Sequence, residues 1–329
     1  MSGLSVTVIA MALAIVGSAC AGPVSMRLAS ARWPERAPTA ALVLWQAVCL
    51  CAGLSLTGAA LVAGIAPLGE HLPSALLTFW RNAFRGRPFD GLSGWRVLLL
   101  LLAAVIAGAL LVVLVRCFVL TVLRRRAHRQ LLDLLSTGAP VDHESAAADA
   151  EPPTRNVRVL DHDAPLAYAV PGWHTRLVLT QGIRQLLDPA QLAAVIAHER
   201  AHLNFRHALL LLPFHAWSVA LGWVPGVRSA RQSVAALAEM QADDAAVRTA
   251  GAEAVASAIS AVALSGGGTA ATARSKELPQ VGSTAVVRRV RRLQQIKPLP
   301  RWALAGVYAL AAALLLVPTA VLFLGWRPV

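Results

Sequence analysis

Residues 193–206 read AAVIAHERAHLNFR, and the rest of the chain is best read outward from them. His198 and His202 stand four residues apart, with Glu199 directly after the first. On a helix, positions i and i+4 share a face, so both imidazoles can meet one ion. Glu199 projects about 100° further round the helix, where a carboxylate can take the proton of an activated water. The helix start is written in the sequence: Asp188 as N-cap, Pro189 at the first helical position, and Gln191 completing a capping box. Leu192, Val195, Ile196 and Leu203, with neighbouring alanines, supply a packing face. The bland alternative is a histidine pair satisfied in a polar core, and the short HExxH pattern alone does not separate the two.

A catalytic zinc needs three protein ligands. His207 comes one residue too early for the HExxHxxGxxH spacing, and Phe205 stands where that pattern has glycine. Further on, LAEMQADDAAV offers Glu239 and, one turn later, Asp243. Glu239 is expected to complete the ligand set, and Asp243 to accept a hydrogen bond from a ligand histidine and so fix its tautomer. Asp244 and Glu253 read as ordinary helix charges, and Tyr168 and His207 as structural residues.

The surrounding chain is 57% hydrophobic over 329 residues, too apolar for a soluble domain of that length. Four uncharged runs account for the excess: Leu4–Gly22, about Ala40–Ala66, Val97–Leu123 and Trp302–Leu324. Each can cross roughly 30 Å of hydrocarbon as a helix, and Trp33, Trp95, Trp302 and Trp326 stand near their ends as interfacial anchors. No Lys or Arg precedes Arg27, so the first run reads as an uncleaved anchor rather than a signal peptide. Arg124, Arg125, Arg126 and Arg129 after the third run, with Lys297 and Arg301 before the fourth, place the intervening segment in the cytoplasm and the N-terminus outside. The net charge of +13 sits mostly beside these runs, which suits anionic lipid headgroups rather than nucleic acid. Cys20, Cys49, Cys51 and Cys117 all lie in apolar runs without metal-type or disulfide-type spacing.

Between the third and fourth runs, 137–156 reads as an acidic, Pro/Ala-rich linker. Val157–Leu160, Leu166–Val170 and Arg176–Thr180 read as short strands, with Pro171-Gly172 as a turn. An edge strand, Leu166–Val170 or Arg176–Thr180, could bind substrate by strand addition. A further helix is expected from about Ser229 to Leu264, then a loop, then a basic amphipathic helix with Val286, Val290 and Leu293 on one face, lying on the inner leaflet. The uncharged run Ala208–Val227 poses a constraint: one crossing there would put Glu239 on the opposite side from His198 and His202. Two crossings need about 40 residues, so a re-entrant or interfacial segment is expected. The expected architecture is an α-helical membrane protein of about four spans plus that segment, carrying an α+β zinc protease domain. Its divisions are 1–123 (three spans), 124–156 (juxtamembrane stretch and linker), 157–264 (protease), 265–301 (loop and basic helix) and 302–329 (fourth span and tail).

The run PLAYAVPGWHTRLVLTQGIRQLLDPAQLAAVIAHERAHL, followed by an apolar stretch and AEMQADDAAV, resembles the BlaR/MecR-type antirepressor metallopeptidases, bacterial integral membrane zinc proteases of the gluzincin type. The resemblance covers most of the chain, and HERAH and EMQADD are its specific parts. It implies one Zn2+ per chain held by His198, His202 and Glu239, with Glu199 catalytic and Asp243 supporting. It further implies a cytoplasmic protein substrate, a DNA-binding repressor. Sensor members carry a penicillin-binding domain after the last span, and this chain ends at GWRPV, so the resemblance implies a form lacking that sensor. HtpX-type membrane quality-control proteases share HExxH and a downstream glutamate, and are the nearest alternative. A non-catalytic scaffold has no need of Glu199, and a transporter would want paired carboxylates within the spans.

Overall fold

The computed structural model of the chain describes residues 6–135, 157–170, 176–266, 279–295 and 297–323. The expected linker 137–156, the Pro171-Gly172 turn, residues 267–278 of the expected loop and everything after Phe323 lie outside the described residues, as do the side chains of the RRRAHR stretch. The chain divides into two compact units: Met1–Cys117 with Leu211–Val234 and Leu299–Val329, and Phe118–Leu210 with Ala235–Pro298.

In the first unit, α1 (Val6–Ala19) runs through a π-helical turn at Cys20–Val24 into α2 (Ser25–Ser30). Pro23 lies in that turn and removes one ladder donor, and Ser25 Oγ donates to the Cys20 carbonyl at 2.6 Å. The helices α3 (Pro38–Ile65), α4 (Leu72–Phe84) and α5 (Gly94–Leu135) follow. Among the described residues, four stretches are long and apolar enough to cross a membrane: Val6–Ser30, Pro38–Leu68, Gly94–Leu123 and Arg301–Phe323. These coincide with the four expected runs, and the protein is a multi-pass membrane protein. α3 is the buried centre, packed by α1 on one side and by the last helix on another.

The uncharged run after the histidines forms two short helices, α8 (His207–Leu210) and α9 (Leu212–Leu221). Together they span His207–Leu221, short of the roughly 20 residues a crossing needs. Pro213 sits in the first turn of α9, where its missing N–H costs nothing. α9 rests on α3, with Phe214 edge-on to Trp45 at 6.4 Å between ring centroids and Trp217 against Gly53.

In the second unit, β1 (Val157–Leu160), β2 (Ala167–Val170) and β3 (Arg176–Thr180) form one sheet in the order β1-β3-β2. β1 runs parallel to β3 and β2 antiparallel to it. Arg176–Thr180 is therefore the central strand, paired on both sides, which corrects its reading as a possible substrate edge. β2 is an edge strand. After β3 come α6 (Gln181–Leu186) and α7 (Pro189–Asn204). α6 begins under a tight approach: a Cβ on Gly182 would stand 1.9 Å from the Asp163 carbonyl oxygen, so glycine is needed there. α7 starts as expected, with Asp188 Oδ1 accepting from Gln191 N at 2.9 Å and Gln191 Oε1 accepting from Asp188 N at 3.1 Å.

α7 packs in two directions. Leu192, Val195 and Ile196 join the core formed by Ala167, Leu177, Leu179, Ile183 and Leu187. Ala194 and Ala197 meet α10 (Pro225–Ala250) and α11 (Ala252–Leu264) through Ala246, Val255 and Ala258. The single helix expected from Ser229 to Leu264 is two, and the first begins four residues earlier. Gly251 breaks it at φ 85°, ψ 156°, a conformation essentially reserved to glycine. α12 (Pro279–Gln295) packs on α11, with Leu293 reaching the Ala246 and Val255 cluster, and α13 (Arg301–Phe323) closes the chain. Leu293, one residue of the face expected to meet lipid, thus has protein beneath it.

Candidate metal centre

Helix pitch brings His198, Glu199 and His202 of α7 opposite Glu239 and Asp243 of α10. His198 and Glu199 are buried, while His202 and Glu239 are half-buried. The His198 and His202 Nε2 atoms stand 3.2 Å apart. Glu239 Oε2 lies 3.5 Å from His198 Nε2, and Oε1 lies 3.5 Å from His202 Nε2. Two donors each 2.0–2.1 Å from a tetrahedral ion are separated by about 3.4 Å, so the triangle has the size of a zinc site. Two imidazole nitrogens and a carboxylate are also zinc's donors, and among the described residues these three form a group able to hold a metal ion.

The chain steers the His198 ring from behind. Its Nδ1 lies 3.0 Å from Oδ1 of Asp243, whose side chain is wholly buried. That carboxylate can only accept, so in the neutral ring Nδ1 carries the proton and Nε2 keeps its lone pair for the triangle. Arg289 of α12 then grips Asp243 at both oxygens, Nη2 to Oδ1 at 2.6 Å and Nε to Oδ2 at 2.8 Å, with Nη1 3.4 Å from Glu239 Oε2. Arg292, one turn on, donates to both oxygens of Asp244 at 2.7 and 2.8 Å and to the Met240 carbonyl at 3.3 Å. Asp244, read as an ordinary helix charge, is therefore half of a bidentate ion pair.

Neither arginine was singled out from the sequence. A signal was present: Arg289 sits between Val286, Val290 and Leu293 on the apolar face of its helix. A cation on an apolar face demands a buried anion.

Electrostatics follow from this packing. Burial opposes a charged His198, yet the hydrogen bonds to Asp243 and Glu239 outweigh it and raise its pKa to about 9 in the metal-free protein. Burial pushes His202 down to about 4. Glu239 is held at about 2, because the His198 hydrogen bond and the Arg289 charge overcome its burial. Arg289 likewise overcomes burial at Asp243 and holds it well below the usual carboxylate range. Glu199 behaves oppositely: burial raises it to about 7, Glu239 adding to the effect and His198 opposing it. Its Oε2 accepts the Ala169 N–H of β2 at 3.1 Å. A carboxylate poised near neutrality beside a metal triangle is suited to move a proton. Tyr168 packs against Val178.

Comparison with known proteins agrees with this geometry. Residues 139–297 match the model of peptidase family M48. The matched stretch takes in both site helices, α7 and α10, and the arginine-bearing α12. A protease HtpX homolog of Acidiphilium cryptum (strain JF-5) is 35% identical over 88 residues, which is 26% of this chain and 30% of that protein. The chain thus matches less than a third of the length of its curated relative. No solved structure matches it.

Proposed function

We propose that the protein is a membrane-embedded, zinc-dependent endopeptidase with one Zn2+ per chain, acting on cytoplasmic protein substrates. The observation that carries this reading is the His198, His202 and Glu239 triangle, with Glu199 buried beside it. Zinc held by those three residues would acidify a water and polarise the scissile carbonyl. Glu199 takes the water's proton and returns it to the leaving amine, as a group titrating near neutrality can. Asp243 holds His198 in the ligating tautomer. The outer edge of β2 receives the peptide as an added strand and sets it across the site. The N-terminus lies outside the cell membrane and the protease domain in the cytoplasm, in keeping with the positive-inside pattern. The exposed Val287 and Arg291 of α12 remain available to anionic lipid headgroups. Nucleic acid is not a direct partner.

The resemblance of HERAH and EMQADD to the antirepressor peptidases supports signalling by cleavage of a transcriptional repressor. The match to a protease HtpX homolog supports a second reading, removal of damaged membrane proteins. Purified wild-type protein is compared with Glu199→Gln for zinc content and for cleavage of soluble repressors and of misfolded membrane proteins. A protease retains zinc in both forms and loses about 10²–10⁴-fold in rate in the variant. Equal behaviour of the two forms would establish a non-catalytic scaffold.

A further inference from the structure

The second zinc histidine is supported differently from the first. His202 Nδ1 meets the acceptor or donor Nδ1 of His207 at 2.7 Å, and His207 Nε2 meets Gln241 Oε1 at 2.8 Å. His207 and Gln241 are both buried, 2% and 5% exposed. His207 reaches this position because α7 ends in a left-handed residue: Arg206 has φ 49°, which turns the chain back and drops the ring under His202.

Counting protons along this row leaves two polarities. In one, His202 Nδ1–H donates to His207 Nδ1, and His207 Nε2–H donates to the Gln241 carbonyl oxygen. His202 Nε2 then has a free lone pair toward His198 and Glu239. In the other, Gln241 turns its NH2 toward His207, His207 Nδ1–H donates to His202, and His202 must carry its proton on Nε2. That proton points into the triangle and excludes a metal. Asp243 allows neutral His198 only one tautomer, because a carboxylate accepts and never donates. The amide and imidazole behind His202 can run either way, and the placement of Gln241 Oε1 toward His207 corresponds to the metal-competent direction.

We infer that His207 is a positioning residue for the metal: with Gln241 it orients a directed hydrogen-bond row that keeps the His202 proton on Nδ1 and makes Nε2 a ligand. The inference rests on the zinc reading of the triangle. It assigns the His that the HExxHxxGxxH spacing rejects as a ligand to a place one bond behind the ligands.

The test measures zinc affinity of the purified full chain by chelator competition, together with the visible spectrum of the Co2+-substituted protein. His207→Phe keeps a ring of similar size but cannot accept from His202, and weakens zinc binding about 10- to 100-fold. His207→Asn puts an oxygen near the Nδ1 position, and restores affinity to within about threefold of wild type, with a tetrahedral Co2+ spectrum. Gln241→Glu, an acceptor that cannot reverse, binds zinc at least as tightly as wild type, while Gln241→Met weakens it. This second pair decides the matter if His207→Phe does not fold. Wild-type affinity in both His207→Phe and Gln241→Met overturns the inference, as does an Asn variant as weak as Phe. Wild-type protein that binds no zinc overturns the metal reading itself, and that outcome is separate from equal affinities among the variants.

Discussion

α7 and α12 are helices of 16 and 17 residues that converge on the same cluster of charges, and they differ in how they come to be there. α7 carries its instructions locally: a cap, a proline, a glutamine and an apolar stripe define its start and its buried face. α12 is defined by what it meets. Its Arg289 and Arg292 find Asp243 and Asp244, some 46 and 48 residues earlier in the chain. Read alone, such a helix looks like a lipid-binding surface. The difference teaches that a local signal specifies an element, whereas a charge on an apolar face specifies a partner that only the fold can name.

The sharpest way to break the comparison is to remove Arg289. Arg289→Ala leaves Asp243 and Glu239 without their cation in a buried site, and should cost about 3–5 kcal/mol in the metal-free protein. Zinc should recover part of that loss by supplying positive charge at Glu239. Thermal unfolding with and without zinc reads both effects, and an unchanged midpoint in the metal-free variant would show that α12 is incidental to the site.

The next effect concerns protons. His198 carries a second ring proton with a pKa of about 9 in the metal-free protein, whereas His202 and Glu239, at about 4 and 2, have no titratable proton to lose near neutrality. A metal must therefore displace one ligand proton below pH 9. Its apparent affinity should fall about tenfold for each unit that pH drops between 8.5 and 6, and level off above 9. Arg289 pushes that His198 value down, so Arg289→Ala should move the levelling point upward. Competition with a chelator across pH measures both.

The smallest expected effect belongs to the locally specified helix. Asp188→Ala removes one capping bond and should cost about 1 kcal/mol, with zinc affinity unchanged once the protein is folded. A drop in zinc affinity as large as that from Arg289→Ala would erase the distinction between the two helices.

Much of this molecule was legible in the chain because the relevant physics is short-ranged. Uninterrupted apolar length marks the four spans, and the three strands lie where β-prone runs stand between turn residues. Residues 198, 199 and 202 meet at the site because one helix carries them, and Glu239 and Asp243 share a second helix one turn apart. The order of the strands was not legible, since pairing β1 beside β3 rather than β2 depends on contacts between distant segments. Gly251 is a different case. Its place in an alanine-rich run conceals a left-handed φ, and a single glycine in a helical pattern is commonly tolerated. His207 was set aside because it fails as a ligand, although a residue can serve a metal without touching it.

The bond from the Ala169 N–H to Glu199 carries one more consequence. In the proposed function a peptide lying along β2 would compete for the outward-pointing amides of that edge, and the amide of Ala169 is already bonded to Glu199. Substrate docking and release of the carboxylate would then be a single exchange of acceptors. On the proposed reading, the resting site would keep its base tethered, and the arriving backbone would free it at the moment there is something to cut.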